Sequence, residues 1–178
     1  MIDVRDAGRD VSAGYDIDED NQVAALLSEV FDETTTFNEL RLLLEGIRKR
    51  TAAGTSLDEI DPRTVLREDS IAAQPFTAGD AAHGPAILRK IPLYLEDSGL
   101  PELPGGIALE DGAGLGYFID GFSKHFEQLF VVDLSMAYLM LARKILDERH
   151  LANVTLVCAS VEHLPFRNER STSFTATM

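Results

Sequence analysis

A chain of 178 residues has the size of one compact domain with an appended segment, and a 45% apolar, 26% charged composition can build a core, which excludes a disordered chain. The formal charge of −14 opposes binding to a phosphate backbone, so nucleic acid is not the expected partner. A single cysteine, Cys158, excludes an internal disulfide framework and a cysteine-built metal cage, and no metal site is expected.

The opening residues 1–20 are rich in carboxylates and poor in large apolar groups, and read as an acidic mobile tail to which no chemistry is assigned. They resemble no signal peptide, and no apolar run is long enough for a membrane span, so the expected location is cytoplasmic. Residues 21–100 read as a helical segment. From Asn21 to Glu33, Val23, Leu26, Leu27 and Val30 recur at helical spacing. Thr36 and Glu39 form a capping box that starts a second helix, with Leu40, Leu43, Leu44 and Ile47 as its buried stripe. Arg48, Lys49 and Arg50 fall near its end, where cations meet the helix dipole. Ser56 and Glu59 offer another capping box before Pro62, and the chain up to Thr77 reads as a connector. A third helical stretch, residues 79–100, places Ile87, Leu88, Ile91 and Leu95 on one side, bends at Pro92 and stops at Gly99.

Beyond "PELPGG" the pattern becomes short apolar runs separated by glycines, acids and helical segments, the signature of βαβ units with a parallel sheet. Strands are expected at Ile107–Asp111, Leu129–Asp133 and Val154–Cys158, with a fourth from Phe174. Helices are expected at Leu115–Phe126 and Ser135–Arg149. Phe118, Phe122 and Phe126 read as a core stripe, and Cys158 as a small buried apolar group.

The chemistry concentrates in "ALEDGAGLGYF", where a strand ends in Glu110 and Asp111 and runs into Gly112, Ala113, Gly114 and Gly116. Glycines let the backbone turn sharply and bring its amides close to a ligand. The dinucleotide pattern G-x-G-x-x-G fails in both registers, because Tyr117 or Ile119 occupies its last glycine, and no Gly-Lys-Ser/Thr phosphate loop follows. About twenty residues on, "LFVVDLS" ends a second apolar strand in Asp133, where an acid meets a ribose in nucleotide-binding βαβ folds.

The E-x-G-x-G-x-G loop, "VVDLSMAYLMLAR" and "NVTLVCASVEHLPF" together resemble the class I S-adenosylmethionine-dependent methyltransferases. The likeness covers about seventy residues, and residues 101–178 are read as the cofactor-binding domain. It implies a Rossmann-like parallel sheet, here about four strands, preceded by helices, and S-adenosylmethionine as cofactor. By that resemblance Gly112, Gly114 and Gly116 admit the methionine part, Glu110 lies near its ammonium, Asp133 holds the ribose with Leu134 and Ser135 continuing the motif, and Ser160 and Val161 border the adenine. Where the family usually has Gly-Asp, this chain has Ala159 and Ser160, so Ser160 or the adjoining backbone takes the aspartate's role. Glu162 reads equally as a ligand contact or a surface acid, and His163 as a surface residue. All assigned roles are binding roles; no catalytic residue is identified.

The resemblance implies a small-molecule acceptor, in the branch that includes quinone precursors. The family's later strands would follow Met178, and Thr175 stands where its fourth strand usually has aspartate. An incomplete sheet would expose an edge, so self-association or pairing with another chain is expected. Alternatives are a catalytically silent nucleotide-binding module and, less favoured by the glycine spacing, a nicotinamide-dependent oxidoreductase. The N-terminal helices could cover the acceptor, with Tyr94 and His83 as lining candidates, although a helix-packing tyrosine and a surface histidine are the commoner outcomes.

Overall fold

The computed structural model describes residues 16–72 and 105–166. The expected third helical stretch and the strand from Phe174 lie outside the described residues, as do His83 and Tyr94.

Helix α1 spans Ile17–Ser28, beginning four residues before the expected Asn21. Asp16 caps it, its carboxylate accepting from the amides of Asp18 (2.9 Å) and Glu19 (3.0 Å). The acids of residues 17–20, read from sequence as tail, therefore form its first turn, where the dipole favours negative charge. The helix also ends before Val30. Helix α2, Phe37–Ala52, starts with the expected capping box: the Glu39 amide donates to Thr36 Oγ1 (3.2 Å) and the Thr36 amide to Glu39 Oε2 (2.8 Å). Leu40, Leu43, Leu44 and Ile47 are buried as expected.

The second expected box does not form. Ser56 precedes a single 3₁₀ turn, Leu57–Glu59, without a side-chain cap, because its hydroxyl pairs with Asp58 instead. Pro62 opens helix α3, Pro62–Ala72, where a connector was expected. Proline suits the first helical position, whose amide would be unpaired in any case. The Asp61 carboxylate accepts from the Arg63 amide (3.2 Å) and the Thr64 hydroxyl (2.6 Å) to begin the turn. Helices α2 and α3 approach closely at Gly46, where an added Cβ would strike Val65 and Asp69. Arg50 bridges them, its guanidinium 3.0 Å from Asp69 and 2.9 Å from Glu68.

The sheet has three parallel strands among the described residues: β1 (Ile107–Asp111), β2 (Gln128–Asp133) and β3 (Val154–Cys158), in the order β1-β2-β3. Strand β2 is central, pairing Glu110 with Val131 on one side and Asp133 with Cys158 on the other. Its nearly continuous apolar run suits a strand covered on both faces, and Leu129, Val131 and Val132 are buried. Between β1 and β2 only Ile119–Phe122 is helical (α4), much less than the expected Leu115–Phe126. The Phe stripe nevertheless packs as expected, with ring centroids 5.9 Å apart for Phe118 and Phe122 and 6.4 Å for Phe122 and Phe126. Helix α5, Met136–Arg149, joins β2 to β3 and is capped by Ser135, whose hydroxyl accepts from the Tyr138 amide at 3.1 Å. A 3₁₀ turn, Val161–His163, follows β3.

Two cores meet at α5. Its Ala137 and Leu141 pack with α1, α2 and α3, while Ala142 and Leu146 pack with the sheet and the Phe stripe. Polar contacts along the first face fasten the N-terminal helices: Arg48 donates to the Tyr138 hydroxyl (2.7 Å), Lys144 donates to the Asp32 carbonyl and lies over the Phe31 ring, and the Phe37 amide donates to Glu148 (2.7 Å). The basic run at the end of α2 is thus partly consumed in intramolecular contacts. None of the described helices is long and apolar enough to cross a membrane.

Candidate cofactor site

The site lies beyond the carboxyl ends of the strands, where parallel α/β sheets place their ligands. Strand β1 delivers Glu110 and Asp111, and its ladder runs one residue further because the Gly112 amide donates to the Val132 carbonyl at 2.9 Å. The loop then turns through Gly114, at φ +49, and Gly116, at φ +73. Among the described residues, added side chains would meet nothing within 4 Å at Gly112 or Gly114, whereas at Gly116 a Cβ would lie 2.6 Å from Ile145 Cδ1. No described residue therefore crowds Gly112 or Gly114, and Gly116 lets the loop settle on α5. Ala113 is buried between them.

Asp133 ties this loop to the next. Its Oδ2 accepts from the Gly114 amide at 2.9 Å and its Oδ1 from the Ser135 amide at 2.8 Å. The glycine bend and the acid ending β2, separate in sequence, are thus brought into direct contact. A carboxylate has about four acceptor positions, so about two remain for a ligand's hydroxyls. Leu134, half-buried, follows beside the bend. The third loop stands next to these through the Ala159 amide, which donates to the Asp133 carbonyl at 3.2 Å. Ser160 spends its hydroxyl accepting from the Glu162 amide (3.2 Å), and Val161 is 44% exposed. Glu162 and His163 are exposed. The "LPF" segment is held by its phenylalanine: the Phe166 ring meets Phe130 of β2 edge-on at 4.9 Å. Cys158, expected to be buried, is exposed; β3 pairs on one side only among the described residues, and the thiol reaches the Leu134 carbonyl at 3.6 Å.

Glu110 is the unusual member. It is only 4% exposed, and among the described residues neither carboxylate oxygen has a hydrogen-bond partner. Burial, reinforced by the charge of Asp133, pushes its pKa up to about 8. The same two causes raise Asp111. Asp133 is raised by burial, against the opposing pull of the Ser135 and Gly114 amides. The strand ends therefore hold a cluster of carboxylates, each destabilised by the loss of water and by its neighbours.

Sequence reasoning missed Asp20, which reaches this site from α1. Its carboxylate is 7% exposed and accepts from the Ser135 hydroxyl (2.6 Å) and the Met136 amide (3.0 Å). The signal was present: Asp20, Val23, Ala24 and Leu27 share one helical face, so extending the apolar stripe back one turn lands on this acid.

This arrangement fits S-adenosylmethionine, whose amino-acid end carries an ammonium and whose ribose offers two hydroxyls. The unpartnered Glu110 would meet the former and Asp133 the latter, and the open backbone at Gly112 and Gly114 leaves room for the chain between them. A dinucleotide would instead bring a pyrophosphate among three carboxylates. No cluster of metal-binding side chains occurs among the described residues.

Residues 108–178 match the sequence model of a family described as a methyltransferase domain. The match supports a member of the class I S-adenosylmethionine-dependent methyltransferases, and the parallel sheet with its preceding helices is consistent with an incomplete Rossmann-like fold of that family. No curated protein matches the chain.

Proposed function

We propose that this protein transfers a methyl group from S-adenosylmethionine to a small-molecule acceptor, and that the described strand ends hold the cofactor. The observation that carries the reading is Glu110, a buried carboxyl group that has no hydrogen-bond partner among the described residues and that a cationic ligand would draw into its charged form. Glu110 binds the ammonium, Asp133 accepts from the ribose hydroxyls, and Leu134 and Val161 offer apolar surface beside the adenine, with Ser160 and its backbone at the edge. When bound, the cofactor supplies a methyl group already activated on a sulfonium. The chain's own work is then to orient it and keep water from the reacting end. An acceptor of low charge suits a site fringed by carboxylates, and the overall charge of −14 disfavours nucleic acid.

Calorimetric titration with S-adenosylhomocysteine tests this. At pH 7 Glu110 carries a proton that an ammonium partner would expel, so binding should release about one proton, read from the dependence of heat on buffer ionisation. Binding of NAD, or failure to bind S-adenosylhomocysteine, rejects the reading. Binding without methyl transfer to any of a panel of small acceptors would instead identify a silent cofactor-binding module, a reading favoured by a described site made of binding groups alone.

A further inference from the structure

Helix α1 is remote in sequence from the cofactor loops, yet it inserts one carboxylate into the turn that follows β2. Asp20 Oδ1 accepts from the Ser135 hydroxyl at 2.6 Å and Oδ2 from the Met136 amide at 3.0 Å. The Ser135 amide in turn donates to Asp133 Oδ1 at 2.8 Å, and Asp133 Oδ2 accepts from Gly114. Ser135 is 1% exposed, so these bonds replace water rather than compete with it. The hydroxyl of Ser135 also caps α5 by accepting from the Tyr138 amide, so Asp20 holds a residue that starts a helix and orients an acid at once.

We propose that Asp20 is a positioning residue for the cofactor site: through Ser135 it fixes the orientation in which Asp133 receives the ribose hydroxyls, making ribose recognition depend on the docking of the N-terminal helix. This rests on the functional reading above, because it assigns the ribose to Asp133. The chain of bonds from Asp20 to Gly114 is short and continuous, buried at Asp20 and Ser135 and part-buried at Asp133 and Gly114. Without Asp20, the Ser135 hydroxyl and the Met136 amide lose their acceptor, and the turn gains alternatives in which Asp133 rotates away from the ligand.

The test compares the full chain with Asp20→Ala, Asp20→Asn and, as a control, Glu148→Ala, which breaks a different contact between α5 and the N-terminal helices. Each is titrated with S-adenosylhomocysteine and with its 2′,3′-dideoxy counterpart. For the unaltered chain, loss of the hydroxyls should weaken binding by at least about tenfold, the usual worth of a hydrogen bond to a charged group. Asp20→Ala should reduce that ratio severalfold, and Glu148→Ala should leave it unchanged. A purely structural role would weaken both ligands equally, and that result, or an unchanged ratio, overturns the proposal. If Asp20→Ala does not fold, Asp20→Asn, which keeps one acceptor oxygen, should give an intermediate ratio; a ratio equal to that of the unaltered chain counts against it. Amide exchange without ligand separates this from the functional reading. The Ser135 and Gly114 amides should exchange faster in the Asp20 variants than in Glu148→Ala. If the unaltered chain binds no S-adenosylhomocysteine, the functional reading falls and ribose recognition with it. Unchanged exchange in the Asp20 variants overturns the positioning role whether or not the ligand binds.

Discussion

A carboxyl group taken out of water without a partner holds its proton, and the folded protein then depends on pH in a way the unfolded chain does not. Glu110 has an ordinary value of 4.5 and is pushed up to about 8 by burial and then by Asp133. Between those values the folded state binds more protons than the unfolded one, so stability falls as pH rises through the window and levels off above it, by at most about 1.4 kcal/mol per pH unit. Glu110→Gln removes the titration while keeping the shape. Relative to the unaltered chain it should gain about 3 kcal/mol in stability between pH 5 and pH 7.5. Urea denaturation at the two pH values measures this, and a gap independent of pH would show that Glu110 is not the titrating group. The same substitution should weaken S-adenosylhomocysteine binding, since an amide offers no charge to an ammonium. Gain of stability with loss of affinity is the mark of a residue kept for a ligand rather than for the fold.

The glycine bend works as an element because it leans on a helix. Gly116 sits at φ +73 with its missing Cβ space filled by Ile145 of α5. Gly116→Ala should cost about 1–2 kcal/mol for the backbone conformation, plus whatever Ile145 must yield. Adding Ile145→Val, which removes the clashing methyl, should recover only the second part, so thermal denaturation of the pair separates strain from crowding; full recovery would deny the strain. Such elements were legible in sequence to different degrees, for physical reasons. Strands β1 and β3 were readable to the residue, because apolar runs are bounded there by acids, glycines and asparagine. Helix α2 was readable because Thr36 and Glu39 form a local cap. Helix α3 lies where the sequence reads as a connector, because its cap is supplied by Asp61 and its start by Pro62, a residue that opens a helix as readily as it interrupts one. Helix α4 was overextended because phenylalanines four apart pack equally well from a short helix flanked by turns. In the site, the residue types of Glu110 and Asp133 were legible, but the isolation of the one and the hydrogen bonds of the other depend on tertiary approach. Asp20 stands in line with the apolar stripe of Val23, Ala24 and Leu27, which marks it for burial, but its contact with Ser135 depends on tertiary approach in the same way.

At the scale of the molecule, α5 is a beam shared by two cores. Ala137 and Leu141 belong to the N-terminal helices, and Ala142 and Leu146 to the sheet, so neither core keeps its packing surface if the other comes apart. The contacts of Asp20, Arg48 and Lys144 run along the same side of this helix and add polar specificity to apolar burial. The helical segment and the strands described here should therefore unfold as one cooperative unit. Leu27→Ala supplies the test. Leu27 is fully buried in α1 and belongs to the helical core rather than to the cluster around the sheet. Truncating it should cost about 2–5 kcal/mol. In a cooperative unit, the slowest-exchanging amides of β2 lose the same free energy of protection as the amides of α2, although no atom near them has changed. If β2 kept its protection while α2 lost its own, the N-terminal helices would be a separately folding attachment, and a site that draws Asp20 from one part and Asp133 from the other could open without unfolding the sheet.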